Sequence, residues 1–327
     1  MKILLFLFFL FFSKEFICQE KLIFTYIDHI NGELRAALYD NNTNERLDLG
    51  FNNTFLPIWY GNRILLNSQS FIWISDASAK DYTKVCVGFK AAASNLTNKF
   101  AVYTPMGISI YDSNLNVQKK IDVDYSDNVS LTWLFNDSVI SFFDADKEST
   151  VFYYLDRDSV SVFGQGVYHP VWNPKTNEIL YNKKNESGFG VFLTTERKVS
   201  DFDRMISFGD EYSIVPIWSN KFDKIAYFRI KEDSLQIYKS DLILADIILY
   251  DFLKDKYYLI ADDAGYTDQA YPQFTFDIND ENIFYTAISE YSLGMICKVN
   301  ISTQQKIILT KDLKIDERLP LYNKTDK

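Results

Sequence analysis

Beyond the first nineteen residues, apolar positions come in short runs rich in Ile, Val, Phe, Tyr and Thr, each bounded by polar turn residues. Runs of this kind predict strands, because β-branched and aromatic side chains suit a pleated, half-buried surface. Sustained helical periodicity is absent. The nearest approach is SDLILADIILYDFL, Ser240 to Leu253, and its β-branched content predicts a strand there too.

One phrase recurs. LPIWYGNRILLN starts at Leu56, LTWLFNDSVISFF at Leu131, HPVWNPKTNEILYN at His169, VPIWSNKFDKIAYF at Val215 and YPQFTFDINDENIFYT at Tyr271. A weaker copy, GFKAAASNLTNKFAVYT, starts at Gly88. Each of the five clear copies has an aromatic at the third or fourth place, a polar turn and an apolar strand, and two further strands follow. The unit is therefore four antiparallel strands in about 40 residues, the signature of a propeller blade. RLPLYN opens another unit at Leu319, while KLIFTYID, ELRAALYD and ERLDLG supply three strands with no opening strand. Joined, these ends make one blade and close a ring, which removes exposed sheet edges. The fold class is all-β: a propeller of four-stranded blades, seven by this count, with six as the alternative because the unit at Gly88 is weak.

The Pro-x-Trp phrase, its polar turn and its strand resemble the TolB-like repeat of bacterial secreted β-propellers, a WD-like architecture. VPIWSNKFDKIAYF is the best match, and HPVWNPKTNEILYN is next. The Asp-Gly turn of that family is replaced here by other polar residues, as Asn and Asp allow. The resemblance implies a non-enzymatic protein of cell-envelope assemblies. Pro lacks a backbone donor and suits the first residue of an innermost strand. Trp59, Trp133, Trp172 and Trp218, with Phe274, are expected to lie between blades, each burying about 150–250 Å².

Composition narrows the partners. Net charge is −10, with 34 basic and 44 acidic residues and no Lys/Arg cluster, which argues against nucleic acid. Met1-Lys2 precedes an unbroken apolar run, Ile3 to Phe12. Ten helical residues reach roughly 15 Å, half the hydrocarbon thickness, so the run predicts a cleaved secretory signal rather than a span. The expected division is 1–19 signal peptide and 20–327 a single propeller domain, in a monomer that is secreted or periplasmic. Cys18 lacks the small preceding residue of a lipid-accepting cysteine. Cys86 and Cys297 are expected as buried free thiols.

There is no G-x-S-x-G elbow, no glycine-rich phosphate loop and no zinc-ligand spacing. Only His29 and His169 could serve a triad, and both read as structural or surface residues. Asp277 to Asn282 lacks the glycine and terminal glutamate of a calcium loop and reads as a hairpin turn. No metal or cofactor is expected. N-x-S/T triplets at Asn95, Asn128, Asn185 and Asn300 matter only where glycosylation operates.

Recognition is expected where loops enter the inner strands, because loops on a rigid scaffold carry binding. These loops are Gly164 to His169, Gly209 to Ile214, Asp262 to Tyr271 and Lys314 to Leu319. The candidate binding residues are His169, Asp210, Glu211, Tyr212, Asp263, Tyr266, Asp268, Gln269 and Tyr271. Acids crowded at a channel mouth favour a cation or a basic protein segment. The leading expectation is a scaffold for a protein or peptide partner in the cell envelope or outside it. The alternative is a propeller lyase or hydrolase acting on a glycan at the channel mouth.

Overall fold

A computed structural model describes residues 21–28, 32–94, 96–123, 130–185, 188–208, 211–231, 242–267, 272–289, 293–310 and 315–323. The expected signal, Cys18, His29, Asn95 and Asn128 lie outside them. Among the described residues there are strands and turns and no helix, so none is long and apolar enough to cross a membrane.

Strands follow the apolar runs. β1 (Lys21–Asp28), β2 (Glu33–Asp40) and β3 (Glu45–Asp48) come first. A second blade is β4 (Thr54–Tyr60), β5 (Arg63–Ser68), β6 (Phe71–Asp76) and β7 (Tyr82–Val87). A third is β8 (Lys90–Ala93), β9 (Lys99–Thr104), β10 (Gly107–Asp112) and β11 (Val117–Ile121). The fourth is β12 (Leu131–Leu134), β13 (Val139–Asp144), β14 (Ser149–Tyr154) and β15 (Ser159–Gln165). The fifth is β16 (Val167–Trp172), β17 (Ile179–Asn185), β18 (Gly188–Thr194) and β19 (Arg204–Met205). Next come β20 (Ser213–Trp218), β21 (Lys224–Ile230), β22 (Ile243–Asp251) and β23 (Lys256–Tyr266). The chain continues through β24 (Phe274–Phe276), β25 (Asn282–Ile288), β26 (Gly294–Asn300) and β27 (Lys306–Ile308), and β28 (Ile315–Tyr322) pairs with β1 to complete the first blade. The strand expected over Ser240 to Leu253 is β22.

The blade count corrects the expectation of seven or six. Five four-stranded blades stand as separate sheets, and β20 to β27 form one eight-stranded sheet. The cause is local. β24 covers only Ile283 to Tyr285 of β25, and the free end of β25 meets the long β23 through the pair Ala264 and Ala287. Two alanines put no bulk in the way of that backbone approach.

Inner strands β28, β4, β8, β12, β16 and β20 are successive neighbours, and β24 lies beside β28. The core lies between blades. Leu134, Phe152 and Phe163 of the fourth blade pack on Val167, Ile179 and Tyr181 of the fifth. Each fully buried Phe contributes about 1.5–3 kcal/mol.

The indoles do more than pack. Trp59 Nε1 donates to Leu321 O (3.0 Å), Trp133 Nε1 to Ala92 O (2.9 Å) and Trp218 Nε1 to Val171 O (3.1 Å). Each tryptophan thus bonds the inner strand of the preceding blade. Trp172 instead bonds Asn177 Oδ1 in its own hairpin.

The prolines sit inside inner strands rather than at their first residues. Leu56, His169, Val215 and Leu319, each followed by Pro, have φ of 47°, 53°, 54° and 60°. At each place two residues oppose one on the neighbouring strand, a β-bulge that needs no donor from proline. Strand also takes up part of three expected loops. Gly166 alone separates β15 from β16, Asp262 to Tyr266 belong to β23, and Ile315 to Leu319 belong to β28.

Candidate binding face

Antiparallel alternation brings the starts of first and third strands, and the ends of second and fourth, to one side of the ring. That side is the front face. Phe143 ends β13, Tyr168 opens β16, Phe189 opens β18 and Tyr212 precedes β20, so four aromatic residues share it. Their rings form a continuous arc. Phe143 stacks on Tyr168 with centroids 5.1 Å apart, Tyr168 meets Phe189 edge-on at 5.5 Å, and Phe189 meets Tyr212 edge-on at 5.6 Å. Phe143 is buried, while the other three are half-buried. Gly188 makes the last contact possible: a Cβ there would stand 2.3 Å from the Tyr212 ring.

Beside Tyr212 lies an ion cluster. Arg229 Nη1 donates to Glu211 Oε1 (2.9 Å), and its Nε and Nη2 donate to Asp246 Oδ2 (3.0 and 2.5 Å). Lys231 Nζ lies 2.9 Å from Asp246 Oδ1. Asp263 faces the other way: it pairs with Lys306 and accepts from the Tyr285 hydroxyl at 3.1 Å. Tyr266 packs edge-on against Phe228 at 5.9 Å.

His169 feels the positive charge of Lys90, the first residue of β8. Burial pushes the imidazole down to about 3, and the Lys90 ammonium adds to the effect. Burial pushes Lys90 itself down to about 8. Asn67, from β5, holds the chain entering β8 by donating to Gly88 O (3.0 Å) and Phe89 O (2.6 Å). Asn182 does the same for β20, donating to Ser213 O (3.1 Å) and accepting from Val215 N (3.0 Å).

The predicted residues therefore separate into groups. Glu211 and Tyr212 meet the arc and the ion cluster, Asp263 pairs with Lys306 and Tyr266 packs on Phe228, and His169 feels the charge of Lys90. Asp210, Asp268, Gln269 and Tyr271 lie outside the described residues. The acidic pull expected at the mouth is countered at Glu211 by Arg229 and at Asp263 by Lys306. Sequence reasoning missed Lys90, Tyr168, Phe189, Arg229 and Asp246. A signal for Tyr168 was its place beside His169; Lys90 stood inside the weak repeat copy. The Asp277 to Asn282 segment is a turn, with Asp277 accepting from Glu281 N and Asn282 Nδ2 at 2.8 and 2.6 Å. Asp280 accepts from Asn220 N and Lys221 N, each 2.7 Å, so one hairpin turn clamps another. No group of metal-ligating residues occurs among the described residues. Cys86 is half-buried and Cys297 buried, and both are free.

No family model and no curated protein matches this sequence. Solved structures match in fold. TolB from Acinetobacter baumannii aligns with a TM-score of 0.60 and 9% identity, covering 93% of this chain and 66% of that one. A puromycin-hydrolysing peptidase of Mycobacterium tuberculosis aligns at 0.62 and 8% identity, covering 90% and 52%. An oligogalacturonate lyase in complex with manganese aligns at 0.54 and 10% identity, covering 88% and 85%. The chain thus spans just under two thirds of that TolB and about half of that peptidase. Identities this low carry the fold and nothing finer. The repeat phrase, the blades and these alignments agree that the chain has the fold of a TolB-like β-propeller.

Proposed function

We propose that this propeller is a non-enzymatic scaffold that holds a segment of a protein partner across its front face, in the cell envelope or outside it. The observation that carries the reading is the arc Phe143, Tyr168, Phe189 and Tyr212, which crosses from the fourth blade to β20 with three rings half-exposed. Tyrosine offers a large rigid surface with a polar tip and loses little conformational freedom on binding, which is why such side chains anchor interfaces. Phe143, Tyr168 and Phe189 stand on paired strands, which limits the ordering cost on the protein side. The TolB-like fold supports the reading by analogy alone.

The glycan-enzyme alternative is less well served. A general base works best with a pKa near the working pH. His169 sits near 3, and the charged group acting on it is a cation.

A photo-crosslinking residue placed at Phe189, compared with one at the 98% exposed Phe202, tests the proposal. A discrete adduct from position 189 alone, in cells or envelope extract, is the expected result. Identical adducts from both positions, or adducts only from 202, would overturn it.

A further inference from the structure

The outer rim carries one uncharged edge. The strands that end the four-strand units are β3, β7, β11, β15, β19, β23 and β27. Arg46, Lys84, Lys119, Arg204, Lys256 and Lys306 stand on β3, β7, β11, β19, β23 and β27. β15 reads SVSVFGQ, with neither a charge nor a proline. Charge, lysine above all, is the usual bar to edge-to-edge pairing of sheets. Val160 and Val162 lie on one face of β15, 54% and 45% exposed.

The backbone of this edge is open. Leu155 N donates to Ser138 O (2.9 Å), so by antiparallel alternation Tyr153 and Val151 bond β13, while Tyr154 and Phe152 bond β15. Ser159 and Ser161 stand opposite Tyr154 and Phe152 and turn their N–H and C=O inward. Val160 and Val162 turn theirs outward, where they have no partner among the described residues. The open edge ends at Val162, because Phe163 O accepts from Val199 N (2.9 Å).

Such an edge is its own complement. A two-fold axis passing between the Ser161 residues of two copies sets Val160 of each against Val162 of the other. Each of these pairs exchanges both N–H···O bonds, and valine meets valine on one face of the joined sheet. Asp158 then falls opposite Gly164, and Arg157 opposite Gln165, so no like charges meet. We propose that the chain pairs with a second copy of itself through β15, joining two fourth blades into one continuous sheet. The monomer expected from the sequence gives way to this dimer. The pair uses up the edge that makes it, so the assembly closes at two copies. Nothing in it rests on the partner reading above.

Sedimentation velocity of the full chain, from about 1 to about 200 µM, tests the pair. An edge contact is small, so the expected result is a monomer–dimer equilibrium with a Kd of about 10–100 µM and no larger species. Each copy carries −10, so raising salt from about 50 to about 300 mM should tighten the dimer. Val160→Lys with Val162→Lys sets lysine against lysine and should weaken the dimer about tenfold. Val160→Glu with Val162→Glu should do the same. Mixing the two double variants should restore a dimer with one chain of each. Both valines are exposed, so an unchanged melting midpoint is expected of each variant. If a double variant does not fold, the single variants Val160→Lys and Val162→Glu take its place, and their mixture should favour the mixed dimer. A chain that stays monomeric to about 200 µM, a dimer that loosens with salt, or a lysine–glutamate mixture that stays monomeric would overturn the proposal. So would a dimer that survives both double variants, which would place the contact elsewhere, the apolar run Ile3 to Phe12 included. Slowed hydrogen exchange at Val160 and Val162 only when a different protein is bound would give the edge to that protein and overturn the second copy.

Discussion

Three tryptophans of the recurring phrase bond backwards to the preceding blade, and a fourth does not, which separates packing from hydrogen bonding within one fold. Trp133→Phe keeps most of the buried ring but removes the indole donor to the Ala92 carbonyl. It should cost about 1 kcal/mol, read from the denaturation midpoint, whereas Trp172→Phe should cost less because its half-exposed indole bonds only its own turn. Titration at His169 gives a second residue-scale expectation. Its folded pKa, about 3, lies below the unfolded value of about 6.5. The unfolded chain therefore binds the proton more readily between those values, so stability is fully present above about 6.5 and declines as pH falls toward 3. His169→Asn should flatten that part of the stability–pH curve, and an unchanged slope would assign the acid loss to other groups.

At the scale of elements, bulges and turns set the positions that matter. Gly188 has φ of 125° and lies under the Tyr212 ring, so Gly188→Ala should cost about 1–3 kcal/mol through overpacking and move Tyr212 out of the arc. Gly32→Ala, with φ of 67° and open space around it, should show only the backbone cost, about 1–2 kcal/mol. Thermal unfolding together with Tyr212 fluorescence-quenching or NMR signals would separate the two effects. Asp280→Ala removes the acceptor for two backbone N–H groups of the neighbouring turn and should cost about 1.5–3 kcal/mol.

Much of the element level was legible in the chain. The Pro-x-Trp phrases marked β4, β16 and β20, because proline and tryptophan there serve one repeated job. Lys90 was not legible as a charge acting on His169, because GFKAAA has neither Pro nor Trp to mark it as an inner strand. The fusion of β20–β27 depends on where Ala264 meets Ala287, a contact between distant residues that no local pattern encodes. Arg229 and Asp246 were likewise invisible until β21 and β22 paired.

On the scale of the whole molecule, β28 joins the last strand to the first blade, and charge reinforces the join. Arg46 on β3 reaches Glu317 on β28 at 2.6 Å, crossing the Tyr26 ring at 4.3 Å. Glu317 is 1% exposed but Arg46 28%, so Arg46→Ala should cost about 1–2 kcal/mol, discounted for solvent. Hydrogen exchange should then rise along β1 and β28 before it rises elsewhere. The ring so closed makes the front face a rigid platform, and the central claim is that a partner occupies the aromatic arc on that platform. Hydroxyl-radical footprinting of the chain alone and in its captured complex tests this most directly. Protection of Tyr168, Phe189 and Tyr212, with Phe202 and Leu253 still oxidised as in the free chain, is the predicted result. Protection of Phe202 or Leu253 with the three arc residues unchanged would contradict it.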